Sequence, residues 1–65
     1  MKFPAGCDCY LKKNVDGMYA NQHATIDREK YKNNGKYPGR SKWVVDVKDD
    51  NGNIVHGIPS DYLRK

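Results

Sequence analysis

Apolar and polar residues alternate along this chain in short runs with the period of a strand rather than a helix. Residues 7–13 (CDCYLKK) set Cys7, Cys9 and Leu11 against Asp8, Tyr10 and Lys12, the period of two of a half-buried strand. Residues 14–17 (NVDG) end that run, with Asp16-Gly17 a typical turn pair. In residues 18–27, a strand face (Met18, Ala20, Gln22, Ala24, Ile26) competes with a poor helix face (Met18, Gln22, Thr25, Ile26); the reading adopted is a strand over roughly residues 22–28. The clearest strand spans residues 43–48, with Trp43, Val45 and Val47 on one side and Val44, Asp46 and Lys48 on the other. Asn51-Gly52, within the loop 49–53, is the strongest short-range hairpin signal. The chain returns over residues 54–58, with Ile54, His56 and Ile58 opposite Val55 and Gly57. Pro59 stops ladder donation, and Ser60-Asp61 suits one helical turn that delivers Tyr62 and Leu63 to the sheet edge.

Two segments lack this period. Residues 29–42 (EKYKNNGKYPGRSK) read as a long loop with turns at Asn33-Asn34-Gly35 and Tyr37-Pro38-Gly39, and loops of this length are often functional. Residues 1–6 read as an irregular lead-in whose Phe3 is expected to plug one end of a small barrel. Several short strands with turn signals and no convincing helix predict an all-β fold. At this length a five-stranded barrel with a short helical turn near the C-terminus closes most of the open edges. Sixty-five residues make one domain, 1–65. Such a chain buries only about 60% of its unfolded surface, so the core is thin and a deep catalytic cleft is not expected. The expectation is a surface-binding module, with no enzymatic activity and no cofactor.

The stretch from Trp43 to Leu63 also resembles the last hairpin and turn of a Src-homology-3 domain. Trp43, Gly57, Pro59, Ser60, Asp61, Tyr62 and Leu63 carry the match, with Asp61 where Asn is usual and Leu63 where Val is usual. The resemblance covers about a third of the chain and implies the small barrel. It further implies an aromatic groove for a protein segment, lined by Trp43, Pro59 and Tyr62 with Tyr10 as an extra wall. The opening CDCYLKK departs from that family's first strand, and Lys12, Lys13 and the later basic loop stand where the family carries acids. A barrel with a basic surface also resembles the KOW, Tudor-like and ribosomal-protein barrels.

Charge sharpens this picture. Twelve Lys and Arg against eight Asp and Glu give a net charge of +4. Between Arg28 and Trp43 there are six basic residues and one acid, Glu29, while Asp46, Asp49 and Asp50 read as a solvated hairpin tip. The stretch interleaves Arg28, Lys30, Lys32, Lys36, Arg40 and Lys42 with Tyr31, Tyr37 and Trp43. Cationic grooves with stacking aromatics bind single-stranded nucleic acid. The bland alternative is a solvated loop whose Tyr residues cover the sheet. Trp43, the only Trp, is expected to be partly exposed and ligand-facing.

The two cysteines are one residue apart, so a disulfide between them is strained and free thiols in a reducing compartment are expected. Cys7 and Cys9 on one strand face, joined by His23 and His56, make a conceivable zinc set. Cys-x-Cys is tighter than the usual spacing, however, and buried small side chains are the ordinary reading, so no metal is expected. No apolar run suits a membrane helix and no signal-peptide core follows Lys2, which leads to the expectation of a cytoplasmic protein. The bias toward Lys, Asn, Asp and Tyr suits an AT-rich genome such as a phage's. The first functional expectation is thus a small intracellular regulator that docks on a larger protein partner, such as a phage-type accessory protein or inhibitor of a nucleic-acid-handling host protein. Its alternative is direct binding of RNA or DNA through residues 28–43.

Overall fold

Five strands, all antiparallel, form one sheet in the order β4-β3-β2-β1-β5. The computed structural model describes residues 3–65; the Met1-Lys2 part of the lead-in lies outside the described residues. The strands are β1 (Asp8–Leu11), β2 (His23–Lys32), β3 (Trp43–Lys48), β4 (Ile54–Pro59) and β5 (Leu63–Arg64), with a 3-10 turn at Ser60–Tyr62 before β5. The all-β class, the five strands and the late helical turn are as the periodicity predicts. β4 and β5 stand at the two ends of the ladder, and the 3-10 turn connects them.

One core lies against one face of the sheet. Cys9, Leu11, Met18, Ala24, Ile26, Val45, Val47, Val55, Ile58, Tyr62 and Leu63 form it, and Phe3 packs against it. The alternation in β1 explains the burial of Cys9 and Leu11, with Cys7 half-buried just before the strand.

Three expectations need correction. β2 runs to Lys32 instead of ending near Arg28, which shortens the following loop to residues 33–42. Residues 27–32 are polar and mostly exposed, so they carry no apolar period; ladder pairing to β3, with register shifts around Arg28, holds them in the sheet. In β4 the faces are reassigned: Val55 and Ile58 enter the core while Ile54 and His56 are exposed. The cause is a bulge. Val45 pairs with Ile58 but Val47 pairs with Val55, so Asp46 faces both His56 and Gly57, and Gly57 takes φ +73°. Finally, Asp46 does not belong to the hairpin tip. It lies mid-strand and is only 3% exposed.

Asp46 and Val44 are buried although they point away from the core. The segment 33–42 covers that outer face as a strap. A Cβ added to Gly39 would sit 2.8 Å from the Cβ of Pro59, and Asn34 and Lys36 pass within 4 Å of a Cβ at Gly57. The Tyr62 hydroxyl donates to the Pro38 carbonyl at 2.6 Å, the Arg40 N–H donates to Asp61 at 3.2 Å, and the Ser60 hydroxyl donates to Ser41 at 2.6 Å. The expected long loop is therefore an ordered strap seated on the 3-10 turn.

Candidate nucleic-acid interface

The strap and the end of β2 converge on Trp43. Pairing of Lys32 with Trp43 across β2 and β3 places a cation beside the indole, and Lys30 sets its ammonium 5.6 Å from the ring centre. The strap closes on itself at its base. Asn33 N–H donates to the Lys42 carbonyl at 2.9 Å, and its side-chain amide donates to the Ser41 carbonyl at 3.0 Å. The Ser41 hydroxyl is hydrogen-bonded to both the carbonyl and the N–H of Trp43. Lys32, Asn33, Lys42 and Trp43 thereby line a shallow cavity of about 310 Å³. Trp43 is 44% exposed there, matching the expectation that it is partly exposed. Its wall is mainly apolar surface, supplied by the indole and the lysine stems, with the ammonium groups free to reach an anion.

The basic residues are not internally neutralised. Among the described residues every ion pair uses a histidine, so no carboxylate lies within 4.0 Å of the charged groups of Arg28, Lys30, Lys32, Lys36, Arg40 or Lys42. Several stack on rings instead: Arg28 lies 4.1 Å from the centre of Tyr31, and Lys36 lies 5.5 Å from that of Tyr37. The alternation of positive groups and rings along 28–43 is thus a feature of the folded surface. Tyr37 departs from it by turning inward, where it packs against the core and lies 6.2 Å from Tyr62. Burial pushes its hydroxyl pKa above the ordinary phenol value.

The groove suggested by the family resemblance is not open. Pro59 and Tyr62 are buried, the former under Gly39 and the latter capped by Pro38. Tyr10 is half-buried elsewhere, edge-on to His23 and under Arg64. Of the four residues, Trp43 alone is exposed, and the strap is what covers Pro59 and Tyr62. Among the described residues no three His, Cys, Asp or Glu side chains are grouped to hold a metal ion, and His23, His56 and Cys9 have other partners. His23 bridges Asp50 (2.8 Å) and Asp8 (3.1 Å), His56 bonds Asp46 (2.9 Å), and the Cys9 thiol points to the Ala24 carbonyl (3.6 Å). Cys9 is a core side chain, and burial, with Cys7 and Asp8 adding to it, pushes its thiol up to about 11.

One cluster has no precursor in the sequence reading. The Tyr31 hydroxyl donates to Asp46, His56 Nδ1 lies 2.9 Å from its second oxygen, and Gly57 N–H donates at 3.1 Å. Burial raises the Asp46 carboxyl, but the hydrogen bonds from Tyr31, His56 and Gly57 outweigh it and hold the group below the ordinary carboxylate range. The only signal for this cluster was an Asp at an otherwise apolar strand position. Compared with protein-family models, curated proteins and solved structures, the chain matches none.

Proposed function

We propose that the protein binds single-stranded nucleic acid, with a base stacked on Trp43 and phosphates held by Lys30, Lys32 and Lys42. The carrying observation is the exposed indole in a cavity walled by lysine stems, with its cations unpaired by carboxylates. Stacking on an aromatic face tolerates any base, and cations flanking it follow the backbone. The role is one of binding without catalysis, as a small regulator within nucleic-acid handling. Two free cysteines suit a reducing compartment such as the cytoplasm. Among the described residues no helix is long and apolar enough to cross a membrane.

Docking on a larger protein is the second reading. Exposed Ile54 and Tyr19 favour it, whereas Pro59 and Tyr62, on which it drew, lie beneath the strap.

The test is a titration with a short uridine oligonucleotide read by Trp43 fluorescence. Three phosphate contacts predict a log-log salt slope of about −2, at about −0.7 per contact. Trp43→Ala, followed by the anisotropy of a labelled oligonucleotide because it removes the single Trp, should keep the far-ultraviolet spectrum and weaken binding by about five- to 150-fold, the equivalent of about 1–3 kcal/mol per stacked base. Unchanged affinity in Trp43→Ala, or salt-independent binding, would remove the proposal.

A further inference from the structure

The outer face of the sheet carries a second set of groups that the Trp43 cavity does not use. Arg28 pairs with Asp46 across β2 and β3, and His56 lies on the far side of Asp46 on β4. Asp46 therefore sits between an arginine and a histidine on the two flanking strands. Its carboxylate receives three donors, and two of them come from side chains that extend toward the surface, Tyr31 and His56. Because an ionised carboxylate only accepts, His56 carries a proton on Nδ1, and Nε2 is left to face outward. The His56 side chain is 66% exposed, so its ring is fixed at the base and open at the tip. Tyr31, fixed by the same carboxylate, is the platform on which the Arg28 guanidinium rests at 4.1 Å. Lys36 of the strap runs past Gly57, the neighbour of His56.

Burying a carboxylate is costly unless donors answer it, as Tyr31, His56 and Gly57 do here. What the carboxylate supplies is orientation: it holds an imidazole and, through Tyr31, a guanidinium over one patch. A planar guanidinium without a carboxylate partner is suited to an oxyanion.

We propose that Arg28 and the imidazolium form of His56, which donates from Nε2 as well as Nδ1, make a phosphate subsite for the same nucleic-acid strand whose base stacks on Trp43. This inference rests on the proposed function. Trp43 and Asp46 are three residues apart on β3, about 10 Å at the rise of an extended strand. Alternation turns Trp43 and Asp46 to opposite faces, so the strand crosses the rim of the sheet beside Lys30 and Lys32 of β2. The ligand is then an oligonucleotide of more than one residue, and its downstream phosphate, not a second base, is what the outer face grips.

The experiment compares uridine monophosphate with a uridine pentanucleotide, in the full chain, using two readouts: Trp43 fluorescence and the anisotropy of a labelled pentanucleotide. The variants are Arg28→Gln and His56→Asn; the latter keeps a donor toward Asp46 and removes the outward nitrogen. The expected result is about tenfold weaker pentanucleotide binding in each variant, unchanged mononucleotide quenching, and a salt slope shallower by about 0.7 in Arg28→Gln. Melting curves matching the parent exclude unfolding as the cause. Parent-like pentanucleotide affinity in both variants overturns the subsite and leaves the Trp43 reading standing. Pentanucleotide binding that fails to quench Trp43 but is lost in both variants upholds the phosphate subsite and overturns the stacking reading. No binding by either readout overturns both.

Discussion

Asp46 shows how much a single side chain can organise. It is buried in mid-strand and answered by three donors, and the Gly57 N–H among them is itself buried. Asp46→Ala should destabilise the fold by about 1–3 kcal/mol, the cost of leaving the Gly57 N–H and the part-buried Tyr31 hydroxyl unpaired, as read by urea denaturation. Gly57 makes this arrangement possible because its φ of +73° turns the bulge that points its N–H at the carboxylate. Gly57→Ala should cost about 1–2 kcal/mol in the same assay, the penalty of a left-handed conformation for a residue with a Cβ. A result near zero for Gly57→Ala would mean that the bulge relaxes to another geometry.

Among the elements, the strap carries the most specific expectation. Gly39 approaches Pro59 so closely that a methyl group has no room, with contacts of 2.8 Å and 3.0 Å to the proline ring. Gly39→Ala should lift the strap and destabilise the protein by about 1–3 kcal/mol, as overpacking does. It should also expose Tyr37 and Tyr62, which near-ultraviolet circular dichroism would register. A full-strength native spectrum would show that the seat yields. The strap is also where the sequence was least informative. Trp43 to Lys48 and the Asn51-Gly52 hairpin were legible, because alternation and turn chemistry are local. The polar end of β2 was not, since ladder bonds rather than apolar period hold it. Nor was the phase of β4, since one bulged residue reverses every face beyond it. Trp43 was legible as a partly exposed residue within a basic stretch. The Asp46 cluster and the covering of Pro59 and Tyr62 were not, because both arise from contacts between distant parts of the chain.

At the scale of the whole molecule, the ionisable groups set a stability window. His23 ties the hairpin tip to β1 through Asp50 and Asp8. The hydrogen bond to Asp50, then that to Asp8, raises its pKa above the ordinary value. A raised histidine contributes stability that is fully present below its unfolded pKa of about 6.5 and is lost as pH rises through the folded value. Asp46 and Asp49 are lowered, so their contribution is present above the unfolded value of about 3.9 and is lost as pH falls through the folded ones. The melting temperature should therefore be highest between these limits and fall on the alkaline side. In His23→Gln the alkaline decline should flatten while the acid decline persists; a decline unchanged by the substitution would assign it to another group.

The seating of the strap on the 3-10 turn has a consequence in time as well as in space. The β3–β4 hairpin closes over a short loop, whereas β1 meets β5 through pairs such as Tyr10 with Arg64, at opposite ends of the described chain. Local closure is fast and distant closure slow, so the hairpin can form while Tyr62 and Leu63 are still unplaced. Ser41, which fixes the backbone of Trp43, takes its own hydrogen bond from Ser60 in that late-arriving turn. The cavity beside Trp43 is thus finished only when the slowest pairing is made. Under the proposed function, a chain caught halfway through folding would already own its best-formed strands and still be unable to hold its ligand, so that binding competence would mark the end of folding.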